Sequence, residues 1–146
     1  MSCWIVVASR DHSQNGVKGG FIQANHGKRS ALDRMRPGDG LVIYSPKELH
    51  GKPGRLQAFT ALGTVGEGPA WQADMGPDFK PFRRKAEFEP VHDAPLQPLR
   101  ERLGFIRNKK SYGAVFRFGV IRIPQEDFDV IRSALQAVGR SGTSST

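Results

Sequence analysis

Residues 3–8 read CWIVVA, a continuous apolar stretch rich in β-branched and aromatic side chains. Such side chains favour β-strands, and a strand without polar alternation is buried on both of its faces. No basic segment precedes the stretch and no small-residue cleavage site follows a long apolar core, which is unlike a signal peptide. The stretch therefore predicts a central strand around which the rest of the fold is arranged.

Short apolar stretches of irregular spacing follow, separated by loops rich in glycine and proline. Residues 9–20 (SRDHSQNGVKGG) are predicted as a loop in which Gly16, Gly19 and Gly20 allow unusual backbone angles. Residues 21–24 are ambiguous between strand and loop. Strands are predicted over 41–44, 56–65 with a bulge near Gly63, 71–75, 85–91 and 115–123, and helices over 28–35 and 96–103. This pattern predicts an α+β fold around a small, strongly bent sheet or barrel.

The clearest element is a helix that begins at Pro124, with Glu126 and Asp127 placed to complement its positive end. Its apolar stripe is formed by Phe128, Ile131, Leu135 and Val138. Gly139 is predicted to end it. We therefore expect a single domain over residues 1–139 and a disordered tail over residues 140–146.

The charge of the chain points to an anionic partner. Lysine and arginine total 22 of the 146 residues against 14 acids, which gives a net charge of +8. The cations cluster as Lys28 and Arg29 with Arg34 and Arg36, as Arg83, Arg84 and Lys85, and as Arg107 with Lys109 and Lys110. Such clusters are typical of a surface that follows phosphates, and the alternative is an evenly spread charge that serves solubility.

Other classes of protein find little support. The mean hydropathy of −0.45 and the lack of a long apolar run argue against a membrane span. The single cysteine, Cys3, allows no internal disulfide and no multi-cysteine metal site, which is consistent with a reducing cytoplasm. The glycines of 20–28 and 63–68 have the wrong spacing for a P-loop or a dinucleotide fingerprint. Neither a metal nor a cofactor is therefore predicted.

Catalytic residue types occur only as weak signals. Ser9, Asp11 and His12 are so close along the chain that turn and cap roles are favoured over a triad. The four histidines, His12, His26, His50 and His92, have no metal-ligand spacing.

Aromatic and amide side chains give the stronger signal. Residues 19–28, GGFIQANHGK, place Phe21 beside glycines and close to Gln23, so that the backbone can approach a planar ligand. A nucleobase needs a stacking face and a few polar groups for its edge. The alternative for each aromatic residue is a place in the core.

The chain resembles the EVE-domain family. The resemblance rests on the ordered motifs CWIVVASRDH, GVKGGFIQANHGK, MRPGDGLVIYSPK, FTALGTV, DFKPFRRKAEF and RFGVIRIPQEDFDVI, which extend over almost the whole chain. It implies a PUA-like fold, similar to YTH domains, and a flipped base, with modified cytosine in DNA as the best candidate. It implies a base pocket of Trp4, Phe21, Gln23, Tyr44 and Ser45, with Phe79, Phe82 and Arg83 on the opposite wall. The basic clusters would hold phosphates through Lys28, Arg29, Arg84, Lys85, Lys109 and Lys110.

The sequence thus predicts a non-enzymatic, cytoplasmic module that reads a flipped base, and any cleavage would come from a nuclease partner. One alternative is a PUA-like RNA-binding protein without specificity for modification. The other is a small enzyme that acts on a nucleotide or nucleobase, with Asp11, His12 or His26 as acid–base groups.

Overall fold

The computed structural model describes residues 1–24, 29–49, 51–106, 116 and 119–144. The strands are β1 (Cys3–Val7), β2 (Phe21–Ala24), β3 (Gly40–Ser45), β4 (Ala58–Val65), β5 (Trp71–Gln72), β6 (Phe82–Glu89), β7 (Ala94–Pro95) and β8 (Val120–Ile123). The helices are α1 (Arg10–Gly19), α2 (Arg29–Asp33) and α3 (Gln125–Ser144), with a 3₁₀ turn at Arg100–Arg102. None of the helices in the described ranges is long and apolar enough to cross a membrane.

The strands form one mixed sheet in the order β2-β6-β4-β3-β1-β8, with β5 paired to β6 and β7 paired to β4. Only β1 and β3 run parallel among the described pairs, in register from Cys3 opposite Gly40 to Val7 opposite Tyr44. β1 lies between β3 and β8, so the predicted central strand is confirmed. The predicted α+β class is confirmed as well.

The sheet separates two hydrophobic clusters, because successive residues of a strand point to opposite faces. Cys3 and Ile5 of β1 belong to the first cluster, which includes Phe128 and Ile131 of α3. Trp4 and Val6 belong to the second, which includes Leu32 of α2. Both faces of β1 are therefore buried, as a stretch without polar alternation requires.

The predicted loop over residues 9–20 is wrong, because most of it is the helix α1. The segment has no apolar stripe, and α1 buries only Ser13 and Gly16. Close approach replaces apolar packing: a Cβ at position 16 would lie 2.4 Å from the carbonyl oxygen of Phe21. The first turn is completed by backbone N–H groups of Arg10 and Asp11, which donate to the carbonyls of residues 47 and 48.

Several predicted boundaries also need correction. The irregularity in β4 is not at Gly63: the register with β3 passes from Ala61 to Phe59 and skips Thr60. Gly63 instead allows close approach, since a Cβ there would lie 2.2 Å from the Glu87 carbonyl oxygen. The predicted helix over 96–103 is only a 3₁₀ turn, and β5, β6 and β8 have other bounds than predicted. α3 continues through Gly139 to Ser144, so residues 140–144 of the expected tail are helical.

Candidate functional site

Five polar or aromatic residues share one face of the sheet where β2, β6 and β5 meet. Directly paired residues of antiparallel strands point to the same side. The pairs are Gln23 with Arg83, Phe21 with Lys85, and Trp71 with Arg83. We call these five residues the β2–β6 face. Ile22, Arg84 and Ala86 are buried on the opposite side of the same strands.

Arg83 lies flat on this face. Its guanidinium carbon is 4.0 Å from the centroid of the Phe21 ring, and its Nε donates a hydrogen bond of 2.9 Å to Gln23 Oε1. A second nitrogen lies 3.3 Å from the sulfur of Met75. Burial lowers the pKa of the Arg83 guanidinium. The face thus already holds one planar group, stacked on an aromatic ring and bonded to an amide.

The turn from α1 into β2 positions the Phe21 ring. Gly20 adopts a left-handed conformation, with φ 75°, and ends the helix by donating its N–H to the carbonyl of Gly16. A Cβ at position 19 would lie 2.4 Å from the Phe21 ring. The glycines therefore let the last turn of α1 lie directly against the ring, which also contacts the guanidinium of Arg83.

Phe79 and His12 extend the cluster toward the first turn of α1. Their ring centroids are 6.0 Å apart and the rings are inclined by 21°. The β5–β6 hairpin holds Phe79 in place, because Met75 N–H donates to the Phe79 carbonyl at 2.9 Å. Met75 also contacts Arg83, so this residue links the His12–Phe79 ring pair to the Phe21–Arg83 stack. We call His12, Phe21, Gln23, Phe79 and Arg83 the candidate site.

Of the eight side chains predicted for the base pocket, the structure brings Phe21, Gln23 and Arg83 into contact. Phe79 is linked to them through Met75, which bonds to the Phe79 carbonyl and contacts Arg83. His12 was expected only as an acid–base group of the enzyme alternative. The position of His12 beside Phe79 cannot be predicted from a loop over residues 9–20. A helix that begins at Arg10 places His12 in its first turn.

Trp4 and Tyr44 are core residues instead of pocket walls. Tyr44 is 2% exposed and stacks on Phe116 with a centroid distance of 3.9 Å. Trp4 is 4% exposed, and its indole Nε1–H donates to Asp39 at 2.9 Å. Tyr44 belongs to the first hydrophobic cluster and Trp4 to the second.

Ser45 and Phe82 are also placed elsewhere than predicted. The Ser45 hydroxyl is fully buried and lies 2.8 Å from that of Thr60, which in turn lies 2.9 Å from that of Ser13. This hydroxyl chain fastens α1 to the sheet at the irregularity in β4. Phe82 packs against the second hydrophobic cluster, on the side of β6 opposite Arg83.

The predicted phosphate ligands divide into three groups. Arg84 is buried and does not lie on the surface as predicted. It is 6% exposed, and its guanidinium donates to the carbonyls of Leu32 and Met35 at the end of α2. Lys85 is exposed on the β2–β6 face, and Arg29 is exposed but paired with Asp33 at 3.2 Å. The remaining predicted ligands, Lys28, Lys109 and Lys110, lie outside the described residues.

The residues of the enzyme alternative do not assemble as a triad in the described part of the chain. The Ser9 hydroxyl and the backbone N–H of His12 both donate to the carboxylate of Asp11, which closes the first turn of α1. His26 lies outside the described residues. Within the described ranges, no cluster of three His, Cys, Asp or Glu side chains is placed to hold a metal ion.

The mixed sheet and its surrounding helices give this protein a PUA-like fold. Its family is shown by sequence: the model of the EVE domain matches residues 2–134, so the chain belongs to the EVE-domain family. A "UPF0310 protein" of Mycobacterium avium is 47% identical over 135 residues, which cover 92% of this chain and 98% of the relative. The protein YdcG of Bacillus subtilis is 36% identical over 132 residues, or 90% of each chain.

Solved structures share the fold at low sequence identity. A Pseudomonas syringae protein superposes with a TM-score of 0.59 at 14% identity, covering 90% of this chain and 97% of its own. Human THYN1, solved in complex with DNA that contains 5-methylcytosine, superposes with a TM-score of 0.54 at 15% identity. That match covers 91% of this chain and 96% of THYN1.

Proposed function

We propose that this protein binds nucleic acid and holds one extruded base at the candidate site, with a modified cytosine in DNA as the preferred ligand. The observation that carries the proposal is the geometry of Arg83. A planar donor group already stacks 4.0 Å from the Phe21 ring centroid while it donates to Gln23. A site that accommodates a guanidinium in this way has the stacking face and the acceptor that a nucleobase needs.

The base takes the place of the guanidinium. A separation of 4.0 Å is van der Waals contact, so Phe21 and Arg83 leave no gap for a second ring between them. Arg83 therefore swings out as the base enters, and the released cation meets a flanking phosphate. The exocyclic amino group of cytosine is a hydrogen-bond donor, and it replaces Arg83 Nε as the donor to the side-chain oxygen Oε1 of Gln23.

The hairpin beside the stack offers apolar side chains that a modification can contact. Met75 lies against the Arg83 guanidinium, and Phe79 is held by the same hairpin. A methyl group on the ring edge would contact this apolar surface, as the edge of an unmodified cytosine would not. Human THYN1, which has the same fold, has been solved with DNA containing 5-methylcytosine, which supports this choice of ligand.

Extrusion of a base from a duplex costs a few kcal/mol, so an unpaired base is favoured. The proposal is tested with short DNA and RNA oligonucleotides that carry cytosine or 5-methylcytosine, measured by fluorescence anisotropy at two salt concentrations. We expect the methylated DNA to bind most tightly. Tighter binding of RNA than of DNA, with cytosine and 5-methylcytosine bound equally, would instead support the RNA-binding alternative.

Two variants of one position supply the matched control. Phe21→Leu keeps apolar volume but removes the aromatic face, and we expect it to weaken binding about 5- to 150-fold, the range of one stacked base. Phe21→Trp keeps the face and should retain most of the affinity. Absence of binding at low salt, or equal affinity of the wild type and Phe21→Leu, would refute the proposal.

A further inference from the structure

A second aromatic ring stands at the edge of the β2–β6 face. Trp71 is 43% exposed although tryptophan is usually well buried, and Met75, which contacts Arg83, is 41% exposed. β5 is an edge strand of only two residues, so nothing in the described sheet continues beyond it. Tryptophan is enriched at interfaces, so the exposed indole at this edge is a candidate contact surface.

The sheet register fixes where Trp71 stands relative to the base site. Trp71 is paired with Arg83, which is paired with Gln23, so the three side chains form one row on the same side. Neighbouring strands are about 4.8 Å apart, which places the backbone of Trp71 roughly 10 Å from that of Gln23. A ligand held at Phe21 and Gln23 can therefore reach Trp71 only if it extends beyond a single base.

We propose that Trp71 forms a second nucleotide subsite, on which an unpaired base next to the bound one stacks. The proposal rests on the proposed function and adds to it that the ligand is a short single-stranded or locally opened stretch.

Charge favours a nucleotide as the occupant. Arg83 and Lys85 are on the same face as Trp71, and the chain carries a net charge of +8. Asp74 of the same hairpin accepts the N–H of Gly76 in its own turn. An aromatic face flanked by cations is the arrangement that holds successive bases and their phosphates without reading sequence.

The experiment compares a ligand that fills one subsite with a ligand that fills both. The probes are 5-methyl-2′-deoxycytidine and a single-stranded pentanucleotide with 5-methylcytosine at its centre. We expect Trp71→Ala to weaken the pentanucleotide about 5- to 150-fold and to leave the nucleoside unchanged. Trp71→Phe should restore part of the loss. Leu49→Ala is the control for loss of exposed apolar area, because Leu49 is 52% exposed and lies between β3 and β4, away from the β2–β6 face.

Intrinsic fluorescence gives a second readout, because the chain has only two tryptophans. Trp4 is buried and bonded to Asp39, so quenching by a soluble quencher reports mainly on Trp71. The pentanucleotide should shield the exposed indole in the wild type and produce no such change in Trp71→Phe.

The possible failures are distinguishable. If the pentanucleotide binds in a Phe21-dependent manner but Trp71→Ala binds it as tightly as the wild type, the second subsite is refuted and the base site stands. If neither probe binds the wild type, the proposed function is refuted and the subsite with it.

Discussion

Asp39 shows how one buried carboxylate can decide the conformation of several neighbours. It accepts hydrogen bonds from the Trp4 indole at 2.9 Å, from Arg36 N–H at 3.0 Å and from Ser2 N–H at 3.1 Å. Burial raises the pKa of Asp39, but the three donors and the positive charge of the N-terminus together outweigh burial, so the pKa lies below its usual value. The carboxylate thus stays charged while it joins β1 to the turn before β3.

Replacement of Asp39 by alanine should destabilise the fold without altering the base site. The variant leaves the buried Trp4 N–H without an acceptor, which costs about 1–3 kcal/mol in the free energy of unfolding. Urea denaturation followed by circular dichroism measures this change. Unchanged stability would contradict the assigned role, and a selective loss of oligonucleotide binding would return Trp4 to the pocket.

The lowered pKa of Asp39 also predicts in which direction the free energy of unfolding changes with pH. A carboxyl whose pKa falls on folding stabilises the folded chain above the ordinary aspartate value of about 3.9. That contribution is lost as the pH falls through the lower pKa of the folded state. Asp39→Asn should therefore differ from the wild type most near neutral pH and least in strong acid, as urea denaturation at a series of pH values would show.

At the scale of elements, α1 is a helix that the composition of residues 9–20 does not predict and that close packing against β2 stabilises. It carries Ser13 and Gly16 on its buried side, and it brings His12 and Gly19 to the candidate site. Helix propensity alone would favour alanine over glycine at position 16 by roughly 0.5–1 kcal/mol. The geometry requires the opposite, because the added Cβ would lie 2.4 Å from the Phe21 carbonyl oxygen.

Gly16→Ala should therefore destabilise the protein, by about 1–3 kcal/mol in the free energy of unfolding, as overpacked sites do. The displaced β2 should also weaken oligonucleotide binding, because Phe21 and Gln23 move with it. Gln14→Ala, on the exposed side of the same helix, is the control and should be neutral or slightly stabilising. A Gly16→Ala variant as stable as Gln14→Ala would show that α1 does not approach β2 this closely.

The sequence predicts strands better than the orientation of the side chains on them. CWIVVA and LQAFTALGTV identify β1 and β4 through their composition, and both strands are found. The resemblance places aromatic residues near strand ends, but a shift of one position moves a side chain to the other face. Phe82 and Arg84 thus point inward while Arg83, between them, points to the candidate site. Only pairing partners, which are distant along the chain, decide this.

At the scale of the whole molecule, fewer cations can bind nucleic acid than the net charge of +8 suggests. Arg84 is buried against α2, and Arg10 pairs with Asp93 at 2.8 Å. Arg132 of α3 pairs with Asp129 at 2.9 Å. The β2–β6 face keeps Arg83 and Lys85 outside ion pairs in the described part of the structure. The location of the cations therefore matters more for nucleic-acid binding than their number.

Arg83 has two opposing effects in this scheme, and they can be separated by the choice of ligand. In the free protein the guanidinium competes with the base for Phe21, a cation–π contact worth about 0.5–1 kcal/mol at an exposed site. In the complex it faces a phosphate. Arg83→Ala should therefore bind 5-methyl-2′-deoxycytidine about two- to fivefold more tightly than the wild type.

For the single-stranded pentanucleotide, the same variant should lose one phosphate contact. The slope of log K against log salt should then become shallower by about 0.7, the value for one neutralised phosphate on a single strand. Arg132→Ala removes the same charge from α3, on a helix that packs against the other core cluster, and should leave the slope unchanged. Titrations at four salt concentrations measure both slopes. If Arg83→Ala instead weakened the nucleoside, the guanidinium would be a wall of the pocket that stays in place, and the base would have to stack on its outer side.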